Sequence, residues 1–326
     1  MNEFTTTRHN PLIDPTMHVW HGEVAGYLFL GGVVAGIMVL MGAWLLMRSD
    51  EDRSEHLSLV PWTAPILLSI GMLLLWLDLE NRFNAFRFYF VFRPLSPMSW
   101  GSWILLAIYP ASLMLAWYTT PDVLRRKALD WIGGRIPTAV GRLQRVDAWI
   151  LGHRTSIAWV NVLAGAALGV YTGLLLGTMA SRPLWNSAVL GPLFLTSGLS
   201  TGAAYMLLYR LEDVERVLLT RVDMGLIVVE LALVAIWLIG MATGGELTHE
   251  AMTLLVSGPY SPAFWSLVVG FGLVVPLLGD WIEQAQGHVP GRLAAFMVLV
   301  GGFALRWIIV YAGQHTGFSE GMAALF

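Results

Sequence analysis

EVAGYLFLGGVVAGIMVLMGAWLLM, residues Glu23–Met47, carries a single charged side chain, at its first position. At 1.5 Å per residue a helix over this stretch is about 37 Å long, enough to cross the roughly 30 Å hydrocarbon core of a bilayer. A water-facing helix of that length needs a polar face, and none can be drawn on these residues. The stretch therefore reads as a membrane span. Working outward, similar apolar runs occur at approximately 61–79, 100–119, 156–180, 188–208, 222–243, 262–282 and 292–312. The expectation is an all-α integral membrane protein with eight transmembrane helices, joined by segments rich in Gly, Pro and charge at 48–56, 81–97, 121–154, 181–185 and 246–259.

Composition agrees. Of 326 residues, 56% are hydrophobic and 13% charged, which a soluble domain of this size could not cover with polar surface. The net charge of −3 and the lack of a long basic tract argue against a nucleic-acid groove. Cysteine is absent, which excludes disulfides and any cysteine-ligated zinc or iron–sulfur centre in this chain. The first run has no short apolar region with a cleavage site and is preceded by one arginine, Arg8, so it reads as a retained helix.

Lys and Arg accumulate in cytoplasmic loops, which orients the chain. Arg125, Arg126, Lys127, Arg135, Arg142, Arg145 and Arg154 crowd the third connection, and Arg48, Arg53, Arg210, Arg216, Arg221 and Arg292 fall on the same side. That side is assigned to the cytoplasm, and eight crossings then leave both termini outside. Arg82, Arg87 and Arg93 sit on the outer side against the rule, which suggests a partner or a redox site there.

An ionisable side chain inside the membrane costs about 2.5–3.5 kcal/mol or more at a helix centre, so each one is a candidate for function. His21 and Glu23 open the first helix, Asp78 and Glu80 close the second, Tyr171 lies in the outer half of the fourth, and Arg306 lies near the outer end of the eighth. These groups suggest a polar pocket in the outer leaflet. Within it Glu23, His21 or Asp78 could act as a base, Tyr171 as a hydrogen-bond donor, and Arg306 as the ion-pair partner of Asp78 or Glu23. Trp20, Trp76 and Trp100 could wall a planar ring, although interfacial tryptophan is ordinarily a membrane anchor. Glu230 lies about two turns from the inner end of the sixth helix by the 3.6-residue period, and with Asp223, Asp280 and Glu283 could line a proton path or form buried ion pairs. Glycines recur in the first, fourth, fifth and eighth helices, where small residues ordinarily let backbones pack closely. All eight histidines fall in loops or at helix ends, so the chain offers no pair of axial haem ligands.

Three stretches resemble the NrfD/PsrC family of membrane subunits: Tyr27-Leu-Phe-Leu-Gly-Gly32; Asp78 through Arg82-Phe83 with Pro94-Leu-Ser-Pro-Met-Ser-Trp-Gly101; and Pro192-Leu-Phe-Leu-Thr-Ser-Gly-Leu-Ser-Thr-Gly202. Gly301-Gly-Phe-Ala-Leu-Arg306 with Tyr311-Ala-Gly-Gln314 also fits, and the resemblance spans essentially the whole chain. It implies two four-helix bundles, residues 23–180 (with the cytoplasmic loop 121–154) and 181–312, flanked by extracytoplasmic segments 1–22 and 313–326, in a bacterial inner membrane.

The resemblance further implies a menaquinone or ubiquinone site near the outer face. Catalytic roles fall on Asp78, Glu23 and His21, and quinone contacts on Trp20, Tyr27, Tyr171, Arg82 and Trp100, while Arg306, Glu230, Asp223 and Asp280 are left as proton-path or ion-pair residues. No haem, iron–sulfur cluster or metal is expected on this chain. Its implied partners are an extracytoplasmic iron–sulfur subunit and a molybdopterin or multihaem cytochrome catalytic subunit. Two other functions stay open: a proton-translocating energy-coupling subunit, and a purely structural anchor.

Overall fold

A computed structural model describes residues 20–49, 53–79, 82–90, 92–136, 138, 140–179, 181–287 and 291–316. Glu80 and most of the segments 1–22 and 313–326 lie outside these residues. The described chain is helical throughout. In chain order its long helices are α1 (Gly22–Met47), α2 (Glu55–Asp78), α3 (Pro97–Thr119), α4 (Arg154–Gly177), α5 (Leu190–Leu207), α6 (Asp213–Ala242), α7 (Ser261–Ala285) and α8 (Arg292–Gln314). Seven of them, all but α5, are long and apolar enough to cross a membrane, so the chain is a multi-pass membrane protein.

The helix α5 differs for a physical reason. It is 18 residues long and 14 of them are buried, among them Thr196, Ser197, Ser200 and Thr201. It packs against α1, α4, α6 and α8, so its surroundings are protein and its hydroxyl-bearing face costs little. The crossing with α1 is close: a Cβ on Gly36 would lie 2.3 Å from the Gly198 carbonyl oxygen and 2.7 Å from Gly202 Cα. Around this centre α1 packs on α2 and α4, α3 packs on α4, and α8 packs on α7.

Several boundaries depart from the apolar pattern. Helix α2 begins at Glu55, several residues before its apolar run, because the Ser54 side chain accepts from Leu57 N–H at 3.2 Å and caps it. Helix α6 begins at Asp213 rather than 222, where Glu212 and Glu215 form a reciprocal capping box. Glu215 also accepts from Ser54 N and Oγ, both at 2.7 Å, tying the starts of α2 and α6 together. Helix α7 contains a π-helical stretch, Phe264–Val274, ending just before Val275-Pro276.

Two connections that read as loops in the sequence are helical. Residues 121–154 contain the short helices Asp122–Arg135 and Val140–Gly152, and residues 246–259 contain Glu246–Val256. Their mixed polar and apolar composition hides them from a search for continuous apolar runs.

Candidate functional site

The chain enters α1 through Trp20, and the far end of the sequence holds it there. Gln314 at the end of α8 accepts from Trp20 N–H at 3.0 Å and donates from Nε2 to Trp20 O at 2.8 Å. Arg182 donates to the Gln314 and Thr316 carbonyls at 2.9 and 2.8 Å. The Trp20 ring stacks on buried Trp185 with centroids 5.2 Å apart, and Trp185 Nε1 donates to Ile309 O at 2.7 Å. The start of α1 is thereby fixed against α8 and the connection between α4 and α5.

Beside this anchor α1, α2, α3 and α4 enclose a cavity of about 520 Å³. Apolar side chains supply most of its wall, Trp20 and Trp76 among them. Polar groups reach it from four helices: Tyr27 on α1, Ser69 and Asp78 on α2, Ser102 on α3 and Tyr171 on α4. Tyr27 is almost wholly buried. The Tyr171 phenol lies against the α3 backbone, where a Cβ on Gly101 would come within 2.0 Å of its oxygen. Glycine at 101 is what admits the phenol.

The carboxylate is at the rim. Asp78 is the last residue of α2, its side chain 11% exposed, and His21 Nδ1 lies 3.7 Å from Asp78 Oδ1 with the imidazole 69% exposed. His21, Glu23 and Asp78 present side-chain ligand atoms within 4.8 Å of one another, the one grouping among the described residues whose spacing would admit a metal ion. The same spacing suits proton exchange between a sheltered acid and water.

Of the residues singled out in the sequence, Trp20, Tyr27, Asp78 and Tyr171 line this cavity, and His21 and Glu23 stand next to Asp78. Trp100 does not: its ring packs edge-on against Phe92, and Nε1 donates to Pro94 O at 2.7 Å. Its neighbours Met98 and Gly101 face the cavity instead. Arg82 is also outside, donating to Leu77 O at 2.7 Å with its guanidinium 5.8 Å from the centroid of Trp76, so it braces a wall residue.

Phe86, in a turn after α2, and Tyr89, on the four-residue helix Arg87–Phe90, also reach the cavity, and the sequence reading does not single them out. The aromatic spacing within Phe83–Phe90 was the available signal. Burial raises the Tyr89 phenol above its ordinary range, which keeps it a hydrogen-bond donor.

Arg306 lies elsewhere. Rather than pairing with Asp78 or Glu23, its Nη1 donates to Ser197 Oγ at 3.1 Å and Gly302 O at 2.8 Å, and Nη2 to Phe194 O at 3.4 Å. Phe29 and Phe194 flank the guanidinium at 6.0 and 5.4 Å. Glu230, buried on α6, also reaches Ser197 and supplies a counter-charge to Arg306. One turn along α5, Ser200 Oγ donates to Asp223 Oδ1 at 2.6 Å. Asp223 Oδ2 and Thr220 Oγ1 are buried without a hydrogen-bond partner among the described residues, and Asp280 on α7 is buried nearby. A row of ionisable groups thus runs through the interface of α5, α6, α7 and α8, separate from the rim trio.

Comparison with known proteins fits these motifs. The family model described as "Polysulphide reductase, NrfD" matches residues 7–317. A polysulfide reductase chain of Wolinella succinogenes is 30% identical over 91% of this chain and 94% of its own length. Protein NrfD of Escherichia coli is also 30% identical, over 91% of this chain and 96% of its own. A selenate reductase subunit of Mesobacillus selenatarsenatis is 25% identical over 91% of this chain and 75% of its own. With the match running from before α1 to beyond α8, the chain belongs to the NrfD family of polysulphide reductase-type membrane proteins.

Proposed function

We propose that this chain is the membrane subunit of a respiratory reductase complex and that it oxidises or reduces menaquinone or ubiquinone in the cavity between α1 and α4. The observation that carries the reading is the cavity itself. At about 520 Å³ with mainly apolar walls it suits a quinone ring and the start of its isoprenoid chain, and its few polar groups converge from different helices. Two relatives are named as parts of reductases, which supports the wider assignment.

Oxidation of a quinol releases two electrons and two protons. Tyr27 and Tyr171 are placed to hydrogen-bond the ring oxygens, and Asp78 to take a hydroxyl proton. His21, 3.7 Å from Asp78 and exposed, passes that proton to water, and Glu23 beside it offers a second acceptor. Quinone reduction runs the same groups in reverse. The chain supplies no cysteine for an electron-transfer centre of its own, so the electrons go to an iron–sulfur subunit and from it to a molybdopterin or multihaem catalytic subunit. The exposed Arg82, Arg87, Phe83, Phe90 and Leu95 beside the cavity mouth offer that subunit a basic and aromatic surface. This reading includes α5 as an eighth crossing, both termini and the cavity on the outer side, and two four-helix groups, α1–α4 and α5–α8, in a bacterial cytoplasmic membrane.

The test is equilibrium binding of a hydroxyquinoline N-oxide quinol analogue to the purified complex. Saturable binding, weakened in Tyr171→Phe and abolished when Ser102→Trp fills the cavity, supports the reading. Binding that ignores both substitutions excludes this cavity.

A second reading, proton translocation, is favoured by the row Arg306, Glu230, Asp223 and Asp280. Along α1, Leu28 lines the cavity, and Gly32, one turn further on, abuts Arg306: a Cβ there would lie 2.6 Å from Nη2. The row therefore starts within a turn of the cavity. Proteoliposomes decide it: proton uptake from the side of Asp280 during quinol turnover, lost in Asp223→Asn, supports pumping, and release at the His21 side alone removes it.

A further inference from the structure

The two short helices between α3 and α4, Asp122–Arg135 and Val140–Gly152, take no part in either site, yet their surfaces are patterned. On the first, Leu124, Lys127, Trp131 and Arg135 fall on one stripe at helical spacing, with Leu124 44% and Trp131 63% exposed. On the second, Arg142, Arg145, Val146, Trp149 and His153 form another, with Val146 55% and Trp149 52% exposed. The first stripe alternates apolar and cationic groups, and the second sets Arg142 and Arg145 beside Val146 and Trp149. The guanidinium of Arg135 lies 3.9 Å from the centroid of Trp131, and the His153 ring stacks on Trp149 at 4.6 Å.

The inward faces are settled by contacts. Asp147 accepts from Trp117 Nε1, in the last turns of α3, at 2.8 Å and forms an ion pair with Arg125, Nε at 3.2 Å. One carboxylate thus clamps both short helices to the end of a membrane span, and Ile150 is buried beside it. Only Thr120 and Pro121 separate α3 from the first short helix, and only His153 separates the second from α4. The pair is held where the spans leave the bilayer, and residues 121–154 carry seven basic against three acidic side chains, a net charge of +4.

We propose that this helical pair lies on the membrane surface with Leu124, Trp131, Val146 and Trp149 in the acyl boundary, and that its Arg and Lys side chains bind the phosphates of anionic phospholipids. Amphipathic helices with tryptophan on one face and cations alongside bind membranes through buried apolar area and attraction to anionic lipid together. A wholly aqueous position would leave two tryptophans and two branched aliphatics in water beside an available bilayer. A soluble protein partner is the competing occupant.

The chain contains no cysteine, so single nitroxide labels can be placed without background. Labels at Leu124→Cys and Val146→Cys are compared with Asp130→Cys and Gln144→Cys, which rim the hollow between the two short helices. Each is read in nanodiscs as relative accessibility to oxygen and to a water-soluble nickel chelate. With phosphatidylglycerol present, the two stripe labels are expected to favour oxygen and the two rim labels nickel. Replacing it with phosphatidylcholine, or introducing Arg142→Glu with Arg145→Glu, should shift the stripe labels toward nickel. Stripe labels that favour nickel in anionic nanodiscs overturn the proposal and leave a soluble protein as occupant. Immersion that is indifferent to lipid charge overturns the phosphate assignment.

Discussion

The cavity rim and the row beneath α5 both gather carboxylates with a basic partner, but they stand in different surroundings. At the rim, His21 is 69% exposed and Asp78 is at a helix end, so protons have a short route to water. In the row, Arg306, Asp223 and Glu230 are buried inside helix packing, where Ser197 accepts from Arg306 and Ser200 donates to Asp223. The same residue types therefore serve different ends. The rim can exchange protons cheaply with solvent, whereas the row carries charge that the fold itself must solvate.

Substituting one acid in each region separates them most sharply. Asp78→Asn keeps the shape of the rim and removes its base, and quinol-dependent turnover should fall by about 10²- to 10⁴-fold, the usual worth of a positioned acid–base group. Glu230→Gln should leave turnover in uncoupled membranes within a few-fold of the parent. Turnover and assembly are both read, the latter by co-purification of partner subunits. An Asp78→Asn enzyme that turns over normally breaks the comparison, because the rim would then be no more chemical than the row.

Stability should order the regions the other way. Arg306→Met removes the counter-charge that reaches Glu230 through Ser197, and leaving a buried polar group uncompensated costs about 1–3 kcal/mol. The double variant Arg306→Met with Glu230→Met should recover much of that loss. His21→Ala breaks a contact that water already screens and should cost no more than about 1 kcal/mol. Thermal unfolding in detergent reads all three, and a destabilised His21→Ala beside a stable Arg306→Met would invert the picture.

Much of this contrast was legible in the sequence, and what was not has a physical cause. Apolar runs locate the long helices because lipid contact and helix packing both demand them, α5 included, and they are least informative at the starts of α2 and α6, whose polar first turns are set by caps. His21, Glu23 and Asp78 could be grouped because helix ends on one side of a membrane must share a leaflet. Arg306 bonds α5 and not Asp78 or Glu23 because depth along a helix says nothing of its rotation: it faces Ser197 and Phe194 on α5. Trp100 shows the same limit, since its neighbour Gly101 has the cavity face. Phe86 sits in a turn and Tyr89 in the four-residue helix Arg87–Phe90, which is too short for its aromatic spacing to tell which side chain points inward.

Adding one methyl group to the cavity wall and one to the α1–α5 crossing gives an intermediate effect. Gly101→Ala would push against the end of the Tyr171 side chain, which can swing away, so folding should be nearly unchanged while quinol-analogue affinity falls about tenfold, or 1.4 kcal/mol. Gly36→Ala would press on the Gly198 carbonyl and Gly202 Cα, which are backbone and cannot yield, so it should lower stability and assembly. Unfolding midpoints and binding isotherms on the two variants give opposite patterns if this is right.

The smallest effect belongs to Arg82. Its guanidinium holds Leu77 O and lies over the exposed edge of the cavity wall at Trp76, while Trp76 Nε1 donates to Arg82 O at 3.1 Å, so the two residues brace each other. At an exposed site the cation–π contribution is about 0.5–1 kcal/mol, and Arg82→Ala should raise the quinol KM by roughly two- to fivefold with kcat little changed. Arg82→Gln should fall between, because an amide can reach Leu77 O but offers Trp76 no charge. A large fall in kcat would mean instead that Arg82 contacts the reacting ring or the partner subunit, and would extend the chemical part of the rim outward from Asp78 to the turn between α2 and α3.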